Sequence, residues 1–459
     1  MNRYQVTMLH FLWTILSIFL IGSIGFLWDD NFSVLVLAII FMTIGIVITY
    51  IVNLNGDKKN SIYIFLLFFA IYLAYNLIIS ISLINFYGVQ NIKSDEIWFY
   101  NTSNDVYKML ENGQGFVDVM NVTRYGDTYG VLYLYGWIAY LANIFGENSV
   151  FVQKIGVVTF SALIPMVMYG ISRLYFTEKQ SLSIAIIYGL FSFVPFFGST
   201  LMRDIHIALM FILTIYFILQ KLTFFNLFLL VIVSAYSYTL REQTGIFMMF
   251  FILIYLFIAV ESSYFSRAIK NFIYLLFLLV IIASVLASDY LMAKFLQIFE
   301  RSAERSQDKA AAASLGRKIA ELPFGLNILA LFSFGQIQPF PPSLIFKSGH
   351  KGLLELTLLS AGIAWFFGWL FLVYGILKEK ILSKLDLKLL LLFIFSIAFI
   401  VLNSLIQFSQ RRQMAVYPIL YIVMVMSYFS ISKTEKTKVL LLGILLYITL
   451  VLAVNYLKL

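Results

Sequence analysis

Asp95 and Glu96 stand side by side directly after a long apolar stretch, and Tyr100, Asp105 and Tyr107 follow within a few residues. Paired carboxylates at such an edge can take a proton from a hydroxyl, ligate a divalent cation or accept bonds from sugar hydroxyls. Equally, they can be solvated groups that open a surface helix. A second cluster, Arg203-Asp204-Ile205-His206, opens an apolar segment. Asp204 has a purely structural motive there, because a helix amino terminus favours negative charge; Arg203 gains nothing from it. Two further cationic sites lie at the mouths of apolar segments: Arg241-Glu242 in a tight turn, and Arg411-Arg412 ahead of Tyr417-Pro418. Guanidinium groups bind phosphate by two parallel bonds and keep their charge when partly desolvated. Snorkelling to lipid headgroups accounts for any one such arginine. Three sites at one level point instead to recognition of an anion.

The remaining chemistry is narrow. The chain has no cysteine, which excludes disulfides and thiolate catalysis, and only three histidines, His10, His206 and His350, too few for a multi-histidine metal site. A divalent cation held by Asp95 and Glu96 stays open. No glycine-rich phosphate loop, nucleophile elbow or zinc-binding histidine pair is present.

Elements that position these residues follow from composition. With 61% hydrophobic and 12% charged residues, the chain fits an all-α polytopic membrane protein. Spans are expected near 8–28, 33–53, 61–85, 151–172, 181–198, 202–220, 223–239, 245–260, 271–289, 352–377, 389–408, 415–431 and 439–457, about thirteen in all. The first is too long for a signal-peptide core and lacks a small-residue cleavage site, so it reads as an uncleaved span. Threaded with the short Lys/Arg-rich loops inside, the formal +9 falls entirely on the cytoplasmic loops. It therefore speaks for topology beside anionic lipid and not for nucleic acid. The Tyr-rich segment from Val131 to Phe145 reads as interfacial, since counting it as a span would turn every later basic loop outward.

Three regions result: a transmembrane catalytic region over 1–289 with an outer loop at 87–149, a second outer loop at 290–351, and C-terminal helices over 352–459. The second loop combines an amphipathic stretch, Leu291 to Leu322, with the proline-dense Gln336-Ile337-Gln338-Pro339-Phe340-Pro341-Pro342. It reads as a lid over a lipid-linked substrate or as a structured loop with no special role.

In this arrangement the chain resembles the GT-C superfamily of membrane glycosyltransferases, especially the bacterial family-39-like group. The resemblance covers roughly residues 60–260. It runs through Asp95-Glu96 and Tyr100, the Tyr/Gly-rich stretch ending Ile144-Phe145-Gly146-Glu147-Asn148, then Ser172-Arg173-Leu174-Tyr175-Phe176, Arg203-Asp204 and Leu240-Arg241. It implies transfer of a sugar from a polyprenyl-phosphate-linked donor to a glycan or lipid acceptor. The reaction would lie on the extracytoplasmic face of a bacterial cytoplasmic membrane. Asp95 becomes the catalytic candidate with Glu96 its neighbour. Arg203, Arg241 and Arg411 become candidates for the donor phosphate, and Asp204, His206, Glu242 and Arg412 line the same region. Here three spans precede the acidic loop where many members have one, and the region around Arg411-Arg412 aligns with no family motif. Wzy/EpsG-type polysaccharide repeat-unit polymerases share the same look and are the alternative. A flippase or transporter fits less well, because transporters place charge along the middle of their spans.

Overall fold

The computed structural model describes residues 7–52, 56–87, 94–122, 128–221, 223–241, 244–249, 352–406 and 410–456, with isolated residues between 251 and 336. Every regular element among them is helical. In chain order these are α1 (Met8–Asp29), α2 (Ser33–Val52), α3 (Lys58–Tyr87), α4 (Ser94–Glu111), α5 (Phe116–Val122), α6 (Tyr129–Phe145), α7 (Val150–Ser172) and α8 (Glu178–Phe191). Then come α9 (Val194–Phe197), α10 (Asp204–Leu219), α11 (Phe224–Leu240), α12 (Gly352–Leu377), α13 (Leu387–Ile406), α14 (Gln410–Gln413), α15 (Tyr417–Ser430) and α16 (Lys433–Tyr456). Most of the expected span at 271–289, half of the one at 245–260 and most of the 290–351 loop lie outside the described residues.

Among the described residues, five helices are long and apolar enough to cross a membrane: Met8–Asp29, Ser33–Val52, Lys58–Leu83, Val150–Ser172 and Leu356–Leu377. Other apolar helices, among them Tyr129–Phe145 and Asp204–Leu219, have 10–17 residues. The centre of the bundle is α7. All its residues except Phe160 are buried, and α2, α3, α6, α8 and α10 pack around it. Outer helices behave differently. On α1, Leu9, Trp13, Leu16 and Leu20 are exposed, an apolar face suited to lipid and not to water. The helix starts are marked locally: Ser149 accepts a bond from the Val152 amide, Thr223 from that of Asn226, and Thr177 forms a capping box with Gln180.

The expected continuous helix over 181–198 is interrupted. It ends at Phe191, where Ser192 is extended and its hydroxyl accepts from the Val194 amide, and a short turn of helix carries Pro195. Proline is well placed in a first turn and poorly placed in a helix interior, which explains the restart there. After α9 the chain turns through Gly198–Arg203 before α10 begins.

Contacts between helix ends define two poles. At one, Asn31 donates to the Glu147 carbonyl, Ser149 bonds Asp29, and Tyr100 bonds the Asn148 carbonyl. At the other, Tyr169 bonds Asp57, Asn60 bonds Glu178, Tyr175 bonds Asp386, and Lys388 donates to the carbonyls of Ile218 and Gln220. Lys436 sits over Tyr428, and Phe429 meets Phe176, which places it at this second pole as well. The Arg173, Lys384 and Lys436 loops thus share one pole, and Asp95, Arg203, Arg241 and Arg411 share the other.

Candidate functional site

The first pole gathers charged side chains from four separate elements. Asp95 and Glu96 lie in the first turn of α4, Asp204 opens α10, Arg241 caps the end of α11, and Arg411 sits on the short helix α14. Acidic residues at the starts of α4 and α10 are favoured by the helix dipole. Arg241 sits at a helix carboxyl end, which favours a cation, but Arg411 has no such local reason to be there, so its partners come from other elements.

Four of these groups form a chain of ion pairs. Arg411 Nη1 donates to Asp95 Oδ2 at 2.8 Å, and Arg411 Nε lies 3.1 Å from Asp204 Oδ2. Arg241 Nη2 lies 3.8 Å from Asp204 Oδ1. Along it the Asp95 side chain is 53% exposed, Arg411 27%, Asp204 2% and Arg241 10%. One end therefore faces water while the other is buried. Burial opposes the charge on Arg411, but Asp204 and Asp95 outweigh it and hold the guanidinium above its ordinary pKa.

Glu96 goes elsewhere. Its carboxylate is completely buried 3.2 Å from Lys154 Nζ, itself completely buried, and Oε1 also accepts the Leu201 amide at 2.7 Å. The two neighbouring carboxylates thus diverge, Asp95 onto Arg411 and Glu96 onto Lys154. Among the described residues, no group of three or more His, Cys, Asp or Glu side chains is placed to hold a metal ion.

Other expected residues fall around this centre. Arg203 Nη1 donates to the Leu240 carbonyl at 3.2 Å, tying the start of α10 to the end of α11. His206, two residues beyond Asp204, is buried, with Nε2 3.0 Å from the Tyr135 hydroxyl and its ring 4.3 Å from that of Phe160. Glu242 and the side chain of Arg412 lie outside the described residues.

Sequence reasoning missed Lys154 and Tyr135. The signal for Lys154 was present: it is an ionisable residue within an apolar span, where a charge needs a partner. Tyr135 looked like one more aromatic of an interfacial helix. In the structure it is fully buried and donates to the Met202 carbonyl, while Met202 Sδ lies 3.4 Å from Arg411 Nη1. Gln153 and Ser103 bond each other, and Asn148 bonds Asn104, so α4 is stitched to the start of α7.

The arrangement offers one exposed carboxylate, two guanidinium groups fixed from behind and a buried charge pair that locks the helix carrying the carboxylate. Such a set can bind an anion and accept a proton beside it. No family model, no curated protein and no solved structure matches the chain.

Proposed function

We propose that the protein is a membrane glycosyltransferase that takes a sugar from a polyprenyl-phosphate-linked donor and passes it to a hydroxyl of a glycan or lipid acceptor. The observation that carries this is the meeting of Asp95, Arg411, Asp204 and Arg241 at one pole of an apolar helical bundle. Arginines held at a membrane surface suit a lipid-borne phosphate, and a carboxylate beside them suits the activation of a hydroxyl.

In the transfer, the acceptor oxygen attacks the anomeric carbon and the bond from that carbon to the phosphate oxygen breaks. The hydroxyl proton passes to Asp95. The electron pair of the broken bond leaves with the polyprenyl phosphate, whose charge Arg411 and Arg241 stabilise. The basic loops of the opposite pole support an extracytoplasmic site in a bacterial cytoplasmic membrane, by the positive-inside tendency.

The test uses the protein in lipid nanodiscs with a panel of polyprenyl-phosphate sugars and glycan or glycolipid acceptors. Transfer by the native protein and its loss in Asp95→Asn, by about 10²–10⁴-fold, is the expected result. Normal transfer by that variant would make Asp95 an ordinary surface residue. Products lengthened by whole repeat units would identify a polymerase instead.

A further inference from the structure

A carboxylate has no direct use in a site that holds phosphate, because two anions repel, and Asp204 lies at the centre of this one. It is 2% exposed and bridges Arg411 Nε at 3.1 Å and Arg241 Nη2 at 3.8 Å. Asp95 holds the same Arg411 by a different edge, through Nη1 at 2.8 Å, and is 53% exposed. One guanidinium is therefore shared between a carboxylate out of water and a carboxylate in water. Pairs facing solvent are weak and exchange readily, whereas a buried charge cannot be parted from its partners without leaving an uncompensated ion. An anion arriving from outside would displace Asp95 from Arg411 and leave Asp204 in place.

We infer that Asp204 is a positioning residue that fixes both guanidinium groups from behind, and that Asp95 is a placeholder whose seat on Arg411 is taken by the donor phosphate. These roles rest on the site being a grip for a phosphate-linked donor. They make donor binding and release of the base a single event. Without phosphate, Arg411 occupies the carboxylate that the acceptor needs. With phosphate on Nη1, the Asp95 oxygen is free to receive a hydroxyl, so donor binds before acceptor.

Two isosteric substitutions separate these roles. Asp95→Asn and Asp204→Asn each remove one negative charge from the same cluster, so charge alone would make both variants bind an anion more tightly. The placeholder and positioning roles demand opposite signs. Binding of a radiolabelled polyprenyl monophosphate to the full chain in nanodiscs is measured, with the phosphate-free polyprenol as control for the tail. Asp95→Asn should bind about two- to fivefold tighter, the gain from removing a weak competing pair. Asp204→Asn should bind at least about tenfold more weakly, because the guanidinium groups lose their backing. Asp204→Glu keeps the charge but moves it by one methylene, and it too should bind more weakly. It also serves where the Asn variant fails to insert.

Tightening by both Asn variants, or native-like binding by Asp204→Glu, overturns the positioning role. Unchanged or weaker binding by Asp95→Asn overturns the placeholder. Opposite signs without sugar transfer by the native protein would keep the grip and remove the glycosyltransferase. Sugar transfer without opposite signs would do the reverse. Equal binding of polyprenol and polyprenyl phosphate by the native chain removes both.

Discussion

Adjacent residues with the same chemistry can face opposite demands, and Asp95 and Glu96 are such a pair. Glu96, sealed against Lys154 and the Leu201 amide, is a structural brace. Removing one member strands a buried charge, so Lys154→Met is expected to destabilise by about 3–5 kcal/mol, read as a lower melting temperature in detergent. The double variant Glu96→Met/Lys154→Met should recover most of that loss, because apolar side chains of similar volume do well where a paired charge was buried. A double variant no more stable than the single one would show that the Leu201 amide bond, and not the ion pair, holds the brace. Arg411 is a different case. It meets Asp95 and Asp204 through two separate nitrogens, which one ammonium cannot reproduce. Arg411→Lys should therefore cut turnover by about 10²-fold, the scale of losing one preorganised donor, with melting little changed. Native-like turnover would show that a single positive charge suffices there.

Helices hold these residues where they are, and some approaches leave no room for adjustment. Gly130, near the start of α6, faces Thr239 near the end of α11, where an added Cβ would collide with the threonine hydroxyl. Arg241 follows directly on that helix end. Gly130→Val should push the two helices apart, costing about 1–3 kcal/mol by overpacking, and should shift Arg241 with them. The expected signature is a lower melting temperature together with weaker binding of polyprenyl phosphate. Loss of stability with unchanged binding would mean that the end of α11 adapts independently of α6. At the opposite pole, Lys388 donates to the last carbonyls of α10, and a cation at a helix carboxyl terminus is favourable. Thus α10 has its own carboxylate at its start and Lys388 of α13 against its end, which ties its two poles to different neighbours.

At the scale of the whole molecule, the two poles are the organising fact. Because the chain has no native cysteine, single cysteines can be introduced and labelled without background. Cysteines at positions 97 and 118 should react with a membrane-impermeant reagent from the side opposite to cysteines at 384 and 436. Labelling of 97 and 384 from one side would contradict both the two-pole arrangement and the proposed placement of the site.

Helix positions were readable in the sequence because a bilayer imposes one strong rule: backbone groups must be satisfied within a span, and apolar length records it. Thus α1, α2, α3, α7 and α12 coincide closely with the apolar stretches that foretell them. The break after Phe191 was signalled only by Pro195, a weaker local cue than the continuous hydrophobicity around it. Charge asymmetry likewise gave the grouping of Asp95, Arg203, Arg241 and Arg411 at one end, since loops alternate between sides. Sequence could not say which of them touch. Asp95 and Arg411 are 316 residues apart, and their meeting depends on how α4, α10 and α14 pack around α7. Nor could it separate Asp95 from Glu96, because one step along a helix turns a side chain by about 100°, and only the neighbouring helices decide which direction is water and which is Lys154.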